Sequence, residues 1–292
     1  MKAVLNEVRL NKDRNRCVDL DISLYSEPGE TVKLIQITDT HLFSSDEGCL
    51  LSVNTADSFK TVVEEIIGRN VEFQAILATG DISQDHTDAS YQRFADGIKD
   101  LKKPCLWLPG NHDEKSLMSH VLPSPQIFQP QHVEIGAHWQ IVLLDSQVTG
   151  VPHGRVSDEQ LAYLDEVLSR TSDKHTLVLL HHHPLLVGSA WLDQHSLKDR
   201  DKFWQIIHRY PHVKAILCGH VHQVMERDYY GVKVMSTPST CVQFKPGSDE
   251  FSLDPVSPGW RELELHPDGQ LTTCVSRLEN GLFLPDFSAN GY

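Results

Sequence analysis

Aspartate, asparagine and histidine recur in this chain in five short clusters. They are Asp39-Thr40-His41, Gly80-Asp81, Gly110-Asn111-His112-Asp113, His182-His183-Pro184 and Gly219-His220-Val221-His222. Carboxylate, imidazole and carboxamide oxygen are the donors that hold hard and borderline divalent cations. Together they offer enough ligands for two ions. Two ions ~3.5–4 Å apart lower the pKa of a shared water, align phosphate oxygens with it and neutralise the charge of the transition state. That is the chemistry of phosphoester cleavage. Asp81 follows a glycine, which allows close backbone approach and leaves its carboxylate placed to bridge. Asn111 supplies a neutral oxygen.

Taken singly, each cluster has a plainer reading. Asp39 could cap a helix, Gly80-Asp81 could be a tight turn, and Asn111 and Asp113 could be turn formers. His41 could be an ordinary loop residue, and His220 and His222 could decorate a hairpin. Five such coincidences in one chain are not what folding alone requires. Strand alternation turns His181 away from His182, so His181 reads as a histidine at the edge of the core. The remaining histidines read as surface or structural, with His153 in the loop VPHG set apart for its place in that loop.

Each cluster ends an apolar, strand-like run. KLIQIT (33–38) delivers Asp39, FQAILAT (73–79) delivers Asp81, and CLWLP (105–109) leads to Asn111. Strands over 139–145, 176–180 and 213–218 follow, the last two ahead of His182 and His220. Helical spacing of apolar residues marks 55–69, 88–101, 157–171 and a stretch near 199–209, with Ser157 and Gln160 forming a capping-box start. Alternating strand and helix over 33–218 predicts an α/β protein with strands buried on both faces. Short strands near 224–236, 260–265 and 270–277 close the pattern antiparallel. If the backbone stays extended beyond its strands, Asp39 and His41 share a side, as do His220 and His222. Loops at the C-terminal ends of strands are where open α/β folds bind ligands. The Pro-, Gly- and Ser-rich stretch 245–259 reads as a loop over the site.

A formal charge of -14 over 292 residues excludes a broad phosphate-tracking surface for DNA or RNA. A small anionic substrate remains compatible, because bound cations make a cleft locally positive. No apolar run approaches the ~20 residues of a membrane span, and the charged start MKAVLNEVRLNKDRNR lacks a signal-peptide core. Six scattered cysteines without a C-x-x-C pair read as reduced thiols of a cytoplasmic protein.

In this order the clusters resemble the signature of the calcineurin-like metallophosphoesterases: D-x-H, G-D, G-N-H-[DE], H-x-P and G-H-x-H. The resemblance runs over about residues 33–280. A narrower resemblance, to the bacterial 3′,5′-cyclic AMP phosphodiesterases of that superfamily (class III), rests on further segments. Among them are ATGDISQD, LLDSQVTGVPHG, LLHHHPL, WLDQHSL, TPSTCVQFKP and PGWRELELHPDG. The resemblance implies a four-layer α/β/β/α sandwich as a single domain over 31–280. Residues 1–30, polar and weakly patterned, read as an arm (irregular, or an edge strand) on which the resemblance says nothing, and 281–292 as a tail. It implies a first metal held by Asp39, His41, Asp81 and His222, and a second held by Asp81, Asn111, His182 and His220, with Asp81 bridging. Iron or manganese is favoured, and zinc or cobalt is compatible with the same donors. His112 contacts the phosphate or the leaving oxygen and Asp113 orients it; His41, Asp81, Asn111, His112 and His222 meet the substrate. The implied reaction is hydrolysis of cyclic AMP to 5′-AMP by a metal-bridged hydroxide. The alternatives are a broader phosphodiesterase or phosphomonoesterase of the same superfamily, or a non-catalytic scaffold. Base recognition is expected in Thr237–Phe244, chiefly at Gln243 and Phe244. Oligomeric state is not legible.

Overall fold

The computed structural model of the chain describes residues 9–10, 20–24, 29–289 and 291. Two sheets carry the fold. One has six strands in the order β16-β15-β3-β6-β7-β8: Leu271–Arg277, Gly259–Leu265, Val32–Ile37, Ala75–Ala78, Cys105–Trp107 and Ile127–Phe128. The other has eight in the order β1-β2-β9-β10-β11-β12-β14-β13. These are Arg9–Leu10, Leu20–Leu24, His132–Ile135, Trp139–Leu143, His175–Leu179, Val213–Cys218, Val232–Ser236 and Met225–Tyr229. A small hairpin, β4 (Cys49–Leu50) and β5 (Val53–Asn54), stands apart.

The central strands are parallel and apolar on both faces, as strands covered on two sides must be. On β3, Val32 and Leu34 face the other sheet, whereas Ile35 and Ile37 face helices. Three cores result. Leu34, Leu77, Leu106, Ile141, Leu179 and Leu217 fill the space between the sheets. Phe59, Val62, Tyr91, Phe94 and Met118 cover the outside of the six-stranded sheet. They come from α1 (Thr55–Gly68), α2 (Asp88–Ile98) and α3 (Lys115–Val121). Leu164, Leu168, Leu192, Phe203 and Ile207 cover the eight-stranded sheet. They come from α4 (Asp158–Arg170), α5 (Ala190–Asp193) and α6 (Arg200–Ile207). This is the expected α/β/β/α sandwich.

Local departures have local causes. Ser157 Oγ caps α4 by accepting from Gln160 N, but the Gln160 side chain does not close a capping box. It reaches across to Asp145 instead, accepting from its N–H and donating to its carbonyl, both at 2.7 Å. Residues 20–24 of the N-terminal arm pair in parallel with β9 at Ile22–Val133 and Leu24–Ile135, and antiparallel with β1, which forms the edge. Between the sheets lies one buried charge. Arg261 on β15 is 0 % exposed and crosses to the other sheet, donating to Glu226 Oε1 at 2.6 Å and to Ser236 O at 2.8 Å. A buried guanidinium is tolerated because it is paired in this way. No helix among the described residues is long and apolar enough to cross a membrane.

Candidate metal centre

The C-terminal ends of β3, β6, β7, β11 and β12 meet at one edge of the sandwich. They bring together Asp39, His41, Asp81, Asn111, His112, His181, His182, His220 and His222. The backbone is not extended there, contrary to expectation. Asp39 (φ 55°), His41 (46°), Asp81 (50°), His220 (68°) and His222 (48°) are all left-handed. Each such residue costs roughly 1–2 kcal/mol unless it is glycine, less for Asp. Cross-strand bonds hold the turns: Asp39 N–H donates to Gly80 O and His41 N–H to Asp81 O, both at 3.0 Å. The side chains still converge, through turns and not through strand alternation. Gly80 is also left-handed (φ 96°), and a Cβ there would lie 2.6 Å from Gly110 N. A Cβ on Gly110 would sit 2.1 Å from Asp81 Oδ1, so both glycines are required by close approach.

The imidazoles share one device. Nδ1 is bound on its outer side, by Gln84 Oε1 for His41 (2.7 Å), Val242 O for His222 (2.8 Å) and Thr79 O for His181 (2.7 Å). A carbonyl oxygen accepts only, so Nδ1 carries the proton and Nε2 turns a lone pair inward. Those lone pairs meet other acceptors. His222 Nε2 lies 3.3 Å from Asp39 Oδ1 and 3.2 Å from His41 Nε2. His181 Nε2 lies 3.2 Å from Asp81 Oδ2 and 3.1 Å from Asn111 Oδ1. Acceptors facing acceptors in a buried site call for positive charge between them. A backing acceptor on the far nitrogen is the usual support of a metal-ligating histidine. Ligand atoms fall into four groups, each within 4.8 Å: Asp39-His41-His222, His41-Asp81-His112, Asp39-Asp81-His181 and His181-His182-His220. The donor set therefore fits divalent ions, and Asp81 belongs to two of the groups.

Electrostatics prepare the same states. Burial pushes the Asp39 and Asp81 carboxyls up, but imidazoles pull them further down. His222 acts chiefly on Asp39, and His181 and His112 on Asp81, leaving both below the ordinary carboxylate range and Asp81 well below it. Burial holds His41 down at about 3. Burial and neighbouring imidazoles keep His182 and His220 well below their usual value. These are the ionised carboxylates and neutral imidazoles that ligation needs. Burial is the largest influence on His181 and lowers it, but Asp81, Asp39 and the Thr79 carbonyl together outweigh it and lift it to about 9, so a proton or a cation has to sit between its Nε2 and Asp81.

The family described as calcineurin-like phosphoesterase matches residues 32–224. The chain belongs to the calcineurin-like phosphoesterases. It is 66% identical to the 3′,5′-cyclic adenosine monophosphate phosphodiesterase CpdA of Vibrio vulnificus, over 90% of this chain and 96% of that one. Identity to CpdA of Escherichia coli K12 is 51%, over 89% and 95%. In fold it is similar to a dimetal phosphatase from Danio rerio, with TM-score 0.57 and 14% identity over 86% of this chain and 99% of that one. It is also similar to a purple acid phosphatase from yellow lupin, with TM-score 0.60 and 12% identity over 92% and 57%.

Within this calcineurin-like phosphoesterase, three expectations change. His181 is not turned away: it is the histidine of the HHHP run that touches both Asp81 and Asn111. His182 stays in the cluster, its ring 4.7 Å from that of His220, with Nδ1 bonded to Ser146 Oγ at 2.8 Å. The Asp113 carboxylate is taken up by the backbone. It accepts from Gly110 N (2.9 Å), Ile82 N (3.0 Å) and Ser83 N (3.0 Å), and from the Tyr91 hydroxyl, so it ties the two loops that carry Asp81 and His112. Burial and the nearby Asp81 push it up to about 7. Gln243 is buried, its Nε2 donating to Ser239 O at 2.7 Å and its Oε1 without a partner among the described residues. Phe244 stacks on the His222 ring at 4.3 Å and 11°, backing a candidate ligand. His112 N–H donates to Asp81 Oδ1 at 2.8 Å, and its ring stands edge-on to His41 at 5.0 Å. His153 belongs to none of the ligand groups.

Sequence reading misses several residues. Gln84, Ser146 and the carbonyls of Thr79 and Val242 orient the imidazoles. Trp191, His195 and Phe251 line a cavity that also reaches Asn111, His112 and His220. WLDQHSL, among the segments of the narrower resemblance, contains two of those three. Of the loop 245–259, Phe251 reaches this cavity, and Lys245 N–H bonds to Ser252 O at 2.8 Å.

Proposed function

We propose that this chain hydrolyses 3′,5′-cyclic AMP to 5′-AMP in the cytoplasm, using two divalent ions, iron or manganese. Asp39, His41, Asp81 and His222 would hold one ion, and Asp81, Asn111, His220 and His181 the other. His181 replaces His182 in this assignment because its Nε2 is the one set against Asp81 and Asn111. The observation that carries the reading is the inward convergence of imidazole lone pairs on carboxylate and amide oxygens. The cyclic-nucleotide substrate is supported by relatives named as cyclic AMP phosphodiesterases. Free cysteines at all five described positions suit a reducing compartment.

Bound, the two ions would activate water and neutralise phosphate charge. The protein supplies the rest. The left-handed turns and the Asp113 clamp fix the ligands, so little reorganisation is needed as charge develops on the phosphate. His112, half-buried beside the cavity, is placed to donate a proton to O3′. Water oxygen adds to phosphorus as the P–O3′ bond breaks, His112 gives its proton to the departing O3′, and the proton released by the water restores His112 through solvent. Hydrolysis in ¹⁸O-water should put one label on the phosphate of 5′-AMP. Release of 3′-AMP as main product, or no turnover of cyclic AMP by metal-loaded protein, would refute the proposal.

A further inference from the structure

The cavity beside the centre has two unlike ends. Asn111, His112 and His220 form a polar end, and Pro152, Trp191 and Phe251 form an aromatic and apolar one. Its volume is about 450 Å³, in the range of small-molecule sites. A phosphoester needs only the polar end. The other end suits a flat apolar group carried by the same substrate. Trp191 is held for such a role. Its ring stands edge-to-face against Phe244 (5.0 Å, 78°) and against Phe251 (5.2 Å, 67°), and α5 carries it between them. Phe244 in turn stacks on His222, so the aromatic wall is built directly onto the ligand shell and kept at fixed distance from it.

We infer that Trp191, with Phe251, is the wall on which the nucleobase of the substrate stacks, and that this corner sets the preference for a nucleoside cyclic phosphate over other diesters. The inference rests on the proposed cyclic-nucleotide activity and names the residues that read its base. It replaces Gln243, which does not line this cavity, as the expected determinant.

The test compares cyclic AMP with base-free ribose 3′,5′-cyclic phosphate on metal-loaded protein. Base–aromatic stacking predicts that Trp191→Ala raises KM for cyclic AMP roughly 5- to 150-fold. KM and kcat for the base-free substrate, and the metal content, should stay within about twofold. Trp191→Phe, which keeps a ring, should keep most of the affinity for cyclic AMP. Equal losses on both substrates, or an unchanged KM for cyclic AMP, would overturn the inference. A measurement on the unaltered protein stands if the variants do not fold: 5′-AMP should inhibit at least about fivefold more tightly than ribose 5-phosphate. Equal inhibition by the two would overturn the base wall while leaving the activity intact. Failure of the unaltered protein to cleave cyclic AMP would refute the activity itself.

Discussion

The two sheets make unequal contributions to the centre. The six-stranded sheet brings both carboxylates, Asp39 and Asp81, and the amide of Asn111, along with His41 and His112. The eight-stranded sheet brings imidazoles alone: His181, His182, His220 and His222. The supports differ as well. On the six-stranded side the carboxylate and amide ligands are fixed through backbone, by the Asp113 clamp and the close approach of Gly80 and Gly110, while His41 is held through Nδ1 by Gln84 Oε1. On the eight-stranded side the ligands are fixed through Nδ1, by Val242 O, Thr79 O and Ser146 Oγ. One half supplies negative charge and the other supplies directional imidazoles. Neither half is a site alone, and contacts such as His220 N–H to Asp39 Oδ1 at 3.1 Å keep them in register.

The contrast can be broken hardest at Asp81, which belongs to both candidate ion positions. Asp81→Ala should lose both ions and slow turnover by more than ~10³-fold. Elemental analysis reads this directly, and two tightly held ions in the variant would remove the bridging role. His112 tests whether the six-stranded half also handles the proton. His112→Ala should keep both ions and lose ~10²–10⁴-fold in kcat. Metal loss in that variant would make His112 a ligand.

The eight-stranded half is sharpened by comparing neighbours. His181→Ala should cost one ion per chain. His182→Ala should keep two ions and weaken the second by no more than ~10–100-fold, as loss of an outer partner does. Metal titration followed by calorimetry separates them, and the reverse order would restore His182 to the shell. The smallest expected effect is at Ser146, which orients His182 from outside. Ser146→Ala should weaken metal binding by ~10-fold or less, with folding unchanged by circular dichroism.

Much of this was legible in the residues themselves. Runs such as KLIQIT and VKAILC are apolar on both faces, so buried parallel strands follow from type alone. The site was legible because Asp, Asn and His in those positions have no shared folding purpose. The choice between His181 and His182 was not legible. Alternation holds inside β11, which ends at Leu179, and fails in the turn beyond it. Gln160 shows the same limit: its spacing from Ser157 matches a capping box, but a partner from another element captures its side chain. Trp191, Phe251 and the Arg261 crosslink depend on contacts between distant segments, which local pattern does not encode.

The five left-handed turns carry a further consequence, one for heat resistance and not for chemistry. If folding alone chose, glycine would suit positions 39, 41, 81, 220 and 222 better than the residues found there. On the proposed two-ion reading, ions bound here would offset part of the cost of these turns, so metal should raise the melting temperature as well as switch on turnover. Asp81→Gly and Asp81→Ala separate the two effects. Both variants should be metal-free and inactive, yet the glycine form should be more stable by ~1 kcal/mol and melt at a higher temperature. An alanine form that melts as high would mean that the turn stores no strain.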